Sequence, residues 1–233
     1  MFTLFTSSFS FFIPTLQLEN GRNIKIIGKG PPVLFSTALY GTMPYQMYNE
    51  LINVLKSDIS VVVFDDFSPV YKDDVEQAAI SLNVKQIGFI SHLSVDLNIL
   101  TSICVEKAVL HDPISNTQLS LSGTESEEIN AHMFTTIINS ENDVQGNIET
   151  SYGNIPKVHG EVEYIVDKNV SILDILDTFW RQTSKNFVHK KTNIDKSKLS
   201  TYKDCILLKK EAPQNIQEYK NIVSKRIVQI FKT

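Results

Sequence analysis

The chain has 233 residues, 42% of them hydrophobic and 21% charged, with a formal net charge of −4. That is enough chain for one α/β domain with a sizeable core, and too apolar a chain for wholesale disorder. Apart from the locally basic stretch His189 to Lys198, which reads as a solvated loop, there is no basic run, so electrostatic binding to nucleic acid gets no support.

Met1 to Leu18 is aromatic but lacks a basic leader and a small-residue cleavage site, and Thr and Ser interrupt it at short intervals. Neither a signal peptide nor a membrane span is expected there; a strand is. Asn20-Gly21, between the apolar stretches Phe9 to Leu18 and Ile24 to Ile27, predicts an antiparallel hairpin closed by a type I′ turn. Val33 to Ala38 is a short apolar run after Pro31-Pro32. A helix is predicted through Tyr45, Tyr48, Leu51, Ile52 and Leu55, at spacings of three and four. Ile59 to Phe64 reads as a strand buried on both faces, Val75 to Leu82 as a helix, and Val84 to Ile90 as a second buried strand. A helix over Val95 to Cys104 is expected next. Strands follow at Ala108 to His111, Met133 to Ile138 and Val162 to Val166, with a helix from near Ser171 to Trp180. Tyr202 to Leu208 reads as extended. Pro213 opens a last amphipathic helix bearing Ile216, Tyr219, Val223, Ile227, Val228 and Phe231 on one side.

A hairpin followed by alternating strand and helix predicts a single α/β domain over 1–233, mostly parallel, with helices on both faces. In such sheets the site lies at the carboxyl ends of the strands, here the loops after Ala38, Ile90 and His111.

Those loops carry a family pattern. Phe35 to Leu55 resembles the α/β-hydrolase segment from the third strand through the oxyanion loop (Leu39, Tyr40, Gly41) into the first helix. Ile87 to Asp96 (IGFISHLSVD) has the layout of the strand and nucleophile elbow. Lys107 to Ile114 (KAVLHDPI) looks like the strand ending in Asp-Pro-Val in chlorophyllase-like esterases. Asp167 to Asp174 matches the position of that group's Gly-His-Met-Asp segment. The resemblance runs from about Lys29 to Lys232, and it implies the α/β-hydrolase fold.

The chemistry it implies is broken. In the matching register Leu93 takes the nucleophile's place, and leucine has no oxygen with which to attack an acyl carbon. Asn169 takes the histidine's place, and a carboxamide accepts no proton near pH 7. Only Asp112 matches the family's acid. Val95 is β-branched where the elbow needs a small residue. Triad members act as a unit, so two losses of three imply a catalytically degenerate, esterase-like pseudoenzyme serving as a binding, structural or interaction module.

The alternative left open is a divergent serine ester hydrolase of chlorophyllase or lipase type, acting on a lipid-like or ester substrate. It would use Ser94 or Ser91 with Asp112 and a base the sequence does not place, His92 being the neighbouring candidate. His111 reads as a core residue and His159 as a surface-loop residue, and no pair among the histidines has metal-ligand spacing, so no metal is expected. Asp65-Asp66 and Asp73-Asp74 read as solvated turns and caps. Cys104 and Cys205, without CxxC spacing, read as free buried thiols in a reducing, intracellular compartment. No cofactor is expected. A protein partner or self-association is, with Met1 to Phe12 as a docking arm, and a residual pocket would suit a small apolar ligand. The Asn-, Lys- and Ile-rich composition fits an AT-rich genome such as a virus's, which would make the protein virion-associated.

Overall fold

The β-branched run at Ile59 to Phe64 forms the interior of the sheet. Strand β4 (Ser60–Phe64) lies between β2 (Asn23–Gly28), to which it is antiparallel, and β3 (Pro32–Ser36), to which it is parallel. In the computed structural model, residues 13–38, 40–114, 128–140, 157–167, 175–180 and 216–232 are described. Among them the sheet has eight strands in the order β1-β2-β4-β3-β5-β6-β8-β10. The remaining members are β1 (Thr15–Gln17), β5 (Ile87–Ser94), β6 (Val105–Ile114), β8 (Phe134–Ser140) and β10 (Val162–Asp167), and from β4 onward every pairing is parallel. Two short strands, β7 (Glu128–Asn130) and β9 (Lys157–His159), pair in parallel with each other; the sequence reading missed both.

Alternation along the strands splits the interior into two layers. Val33, Phe35, Val61, Val63, Ile90, Val109 and Ile138 face one side, against Leu51, Ile52 and Leu55 of α1 (Asn49–Leu55) and Val223 and Ile227 of α3 (Ile216–Lys232). Leu34, Val62, Phe89, Ala108, Leu110 and Ile137 face the other, with Val75, Ala78 and Ala79 of α2 (Lys72–Ser81). Each fully buried Leu, Ile or Val contributes about 1.5–3 kcal/mol, so the spacing of three and four in α1 is what docks it.

Several expectations are corrected. The β1–β2 connection is not a type I′ turn, because only Gly21 has positive φ (83°) and Asn20 does not. Leu18 N–H donates to Arg22 O and Gly21 N–H to Leu18 O, which makes a three-residue loop with a glycine bulge. Asn20 is held otherwise: its Oδ1 accepts from Arg22 N–H at 3.1 Å and its Nδ2 donates to Asp74 Oδ1 at 2.9 Å. The helix expected over Val95 to Cys104 is a single 3₁₀ turn, Leu97–Thr101, because Asp96 accepts Asn98 N–H to start it and Ser102 is already extended. Cys104 is partly exposed rather than buried, and His159 sits in β9, exposed. Cys205, Pro213, Tyr202 to Leu208 and the arm Met1 to Phe12 lie outside the described residues. No helix among the described residues is long and apolar enough to cross a membrane.

Candidate functional site

Register brings the candidate residues together at the carboxyl ends of the central strands. Ser36 of β3 pairs with Ser91 of β5, and His92 of β5 pairs with His111 of β6. Ser91 follows Phe89 by two and shares its face, on the α2 side, whereas His92 follows Ile90 and points to the α1 side. The serine and the imidazole are therefore on opposite faces of the sheet. Ser91 Oγ is fully buried and has no hydrogen-bond partner among the described residues.

On the α1 side the four rings Phe35, Tyr48, His92 and His111 run edge to face, with centroid separations of 5.0, 5.6 and 5.6 Å. Tyr48 ends the 3₁₀ turn Tyr45–Tyr48 ahead of α1 and is completely buried. Its Oη accepts Ala38 N–H at 3.0 Å and lies 2.8 Å from His92 Nδ1. Burial pushes the Tyr48 hydroxyl well above the ordinary phenol range. At the far end of the row, His111 Nδ1 lies 2.9 Å from Asp112 Oδ2. Sequence reasoning missed Tyr48, since at its helical spacing a tyrosine reads as core. Its hydroxyl was the only signal, because a buried phenol needs a partner.

The strand ends are also strained. Leu93 has φ 59° and Asp112 φ 49°, both in the left-handed region that non-glycine residues avoid. They lie within a break in the β5–β6 register, where His92 pairs with His111 but Ser94 pairs with Ile114. Val95, next along, is buried in the α2-side core. A left-handed L-residue costs about 1–2 kcal/mol, while glycine costs up to about 1 kcal/mol in chain entropy. Leu93→Gly is therefore expected to be more stable than Leu93→Ala by about 0.5–1 kcal/mol in urea melts, the reverse of the usual order within a strand; an alanine variant equal to or above the glycine one would remove the strain.

The loop after β3 is closed on itself. Gly41 N–H donates to Thr37 O at 2.7 Å, Met43 N–H to Ala38 O at 3.2 Å and Thr37 Oγ1 to Met43 O at 2.6 Å. Tyr40 takes φ 62°, and its carbonyl accepts Val70 N–H at 2.6 Å. Leu39 lies outside the described residues, as does Asn169, two residues past the end of β10 at Asp167. The acidic pairs serve structure. Arg22 holds Asp66 through two nitrogens at 3.0 and 2.7 Å and Asp74 at 2.7 Å, above the Phe64 ring. No group of three metal-binding side chains occurs among the described residues. One surface groove, lined by Lys107, Phe134, Glu161, Glu163, Arg226 and neighbours, lies at the opposite, amino ends of β6, β8 and β10 and is strongly charged.

No family model matches the chain, and no curated protein matches its sequence. Solved structures do match its fold. An epoxide hydrolase variant from Vigna radiata aligns with 95% of this chain and 98% of its own at 12% identity, TM-score 0.50. A protein from Nostoc sp. PCC 7120 described as an α/β-hydrolase candidate aligns with 77% of this chain and 98% of its own at 10% identity, TM-score 0.50. With the strand order and the opening antiparallel hairpin, this is the α/β-hydrolase fold.

Proposed function

We propose that this chain is a catalytically silent α/β-hydrolase fold, kept as a binding or structural module after losing its nucleophile. One observation carries the reading: the left-handed residue at the carboxyl end of β5 is Leu93, with φ 59°. In this fold the strained turn after the fifth strand exists to lift a nucleophilic oxygen out of the sheet. Here the strain persists and the oxygen is gone, as expected of a backbone inherited from an enzyme. The 3₁₀ turn in place of a full helix beyond the elbow points the same way, since it removes the helix N-terminus that would favour an oxyanion. Asp112-Pro113, near the end of β6, supports descent from chlorophyllase-like esterases.

The competing reading, a serine esterase working through Ser91 or Ser94, is less well supported. Ser91 and His92 point to opposite faces, and the Nδ1 of His92 is engaged by Tyr48. The test is incubation of the pure protein with a fluorophosphonate probe and with short- and medium-chain nitrophenyl esters. No labelling and no ester turnover above buffer are expected. Stoichiometric labelling lost in Ser91→Ala or Ser94→Ala would refute the silent reading and identify the nucleophile.

A further inference from the structure

The Tyr48 hydroxyl has two hydrogen-bonding neighbours, and their chemistry constrains where its proton goes. Ala38 N–H, at 3.0 Å, can only donate. The arrangement that uses the phenol's own hydrogen sends it to the other neighbour, His92 Nδ1 at 2.8 Å. In that arrangement Nδ1 accepts and the ring's proton sits on Nε2.

The position of this oxygen matters more than the bond itself. Ala38 lies in the loop between β3 and the first helix, and in this fold an amide of that loop helps to bind the oxyanion formed during acyl transfer. Productive donors hold that oxygen at about 2.7–3.1 Å. Tyr48 Oη is at such a distance from Ala38 N–H, on the side of the sheet that His92 and His111 face. Two further amides of the loop, those of Gly41 and Met43, are bonded within it.

We infer that Tyr48 is an internal ligand of the degenerate site: its hydroxyl holds the oxygen-binding position of the β3 loop from within the chain and gives its hydrogen bond to His92. This rests on reading Thr37 to Gly41 as the former oxyanion loop. It accounts for how a buried amide and a buried imidazole stay satisfied once no substrate visits. It also assigns the chemical class that the position takes, a neutral phenolic hydroxyl able to accept from one side and donate to the other.

The test uses the full chain with Tyr48→Phe and Tyr48→Ala. Tyr48→Phe keeps the ring and takes the hydroxyl away from the buried Ala38 amide and from His92 Nδ1, so its melting temperature should fall by roughly 4–12 °C. Tyr48→Ala opens a site shaped for the lost side chain. Adding p-cresol at ten times its Kd should raise the Tyr48→Ala melting temperature by roughly 3–6 °C, and toluene by clearly less. Nitrogen-15 NMR of the wild-type protein at pH 7 should show His92 neutral and protonated on Nε2, with its Nδ1 resonance shifting in Tyr48→Phe. Equal rescue by toluene would mean simple cavity filling and overturn the inference. So would a Tyr48→Phe protein melting with wild type, or a His92 protonated on Nδ1. Should Tyr48→Ala fail to fold, the Phe variant and the NMR tautomer decide. Fluorophosphonate labelling of the wild type would overturn the silent reading alone and leave the Tyr48 measurements standing.

Discussion

Replacing Glu50 by alanine should cost about 2–3 kcal/mol and lower the melting temperature by roughly 4–12 °C. Glu50, in the first turn of α1, pairs with Lys220 of α3, and the Lys220 side chain has no solvent exposure while that of Glu50 has 35%. Removing one partner of a buried pair costs about 3–5 kcal/mol because the other charge is left uncompensated, and the partial exposure of Glu50 moves the expectation below that range. Glu50 also joins segments: its carboxylate accepts Thr178 N–H at 3.1 Å, and its own N–H donates to Asp177 Oδ1 at 2.7 Å. One carboxylate thus ties α1 both to α3 and to the 177–178 segment. Lys220→Met removes the buried charge along with the pair, so the double variant should recover most of the loss. A double variant no more stable than Glu50→Ala would show that Lys220 is not the cause.

The same pair has a pH signature. Burial pushes Glu50 up, but the hydrogen bonds and charge of Lys220 and the Thr178 amide outweigh it, and the net shift is down from 4.5. A carboxylate depressed in the fold contributes stability that is present above its unfolded value and lost as pH falls through the folded one. The gap between wild type and Glu50→Ala should therefore narrow as pH drops below 4.5. Asp177 acts the other way in both proteins, since burial first of all raises it from 3.8 and its protonation in acid relieves the fold. Melting temperatures of both proteins across the acid range read the difference directly.

How much of this could be read from the sequence depends on which force sets each feature. The sheet interior was legible because hydrophobic alternation and β-branched runs such as Ile59 to Phe64 are local signals of burial. Leu93 and Asp112 could be singled out from the family pattern, and both take positive φ. The Tyr48–His92–Ala38 arrangement was not legible, because it depends on register between β3, β5 and a turn 44 residues from His92. Lys220 was hidden for a similar reason: its partner lies 170 residues away, and a lysine on a helix reads as solvated until that partner is known. The helix expected after β5 failed because Leu97, Ile99 and Leu100 are apolar enough for a helix, yet the Asp96 side chain starts a 3₁₀ turn and Ser102 is already extended.

The crossing from β2 to β3 should be still less tolerant than the Glu50 pair. Gly28 has φ 105°, and a Cβ added there would stand 2.5 Å from Lys56 O and 2.6 Å from Ile59 O. These are backbone atoms of the α1–β4 turn, which is anchored by Lys29 N–H on Lys56 O at 3.2 Å and Ser60 N–H on Pro31 O at 3.0 Å. No side chain can rotate away to make room. Left-handed strain of about 1–3 kcal/mol adds to the steric term, so Gly28→Ala is expected to cost more than about 3 kcal/mol. Because β2 and β3 both pair with β4, the damage would reach the centre of the sheet. Gly21 supplies the control: it has φ 83° but nothing within 4 Å of an added Cβ, so Gly21→Ala should cost only the backbone strain, about 1–2 kcal/mol. Urea denaturation of the two variants side by side separates crowding from strain. Equal losses would mean that the backbone crossing beneath β4 is looser than 2.5 Å and that the sheet can shift to admit a methyl group.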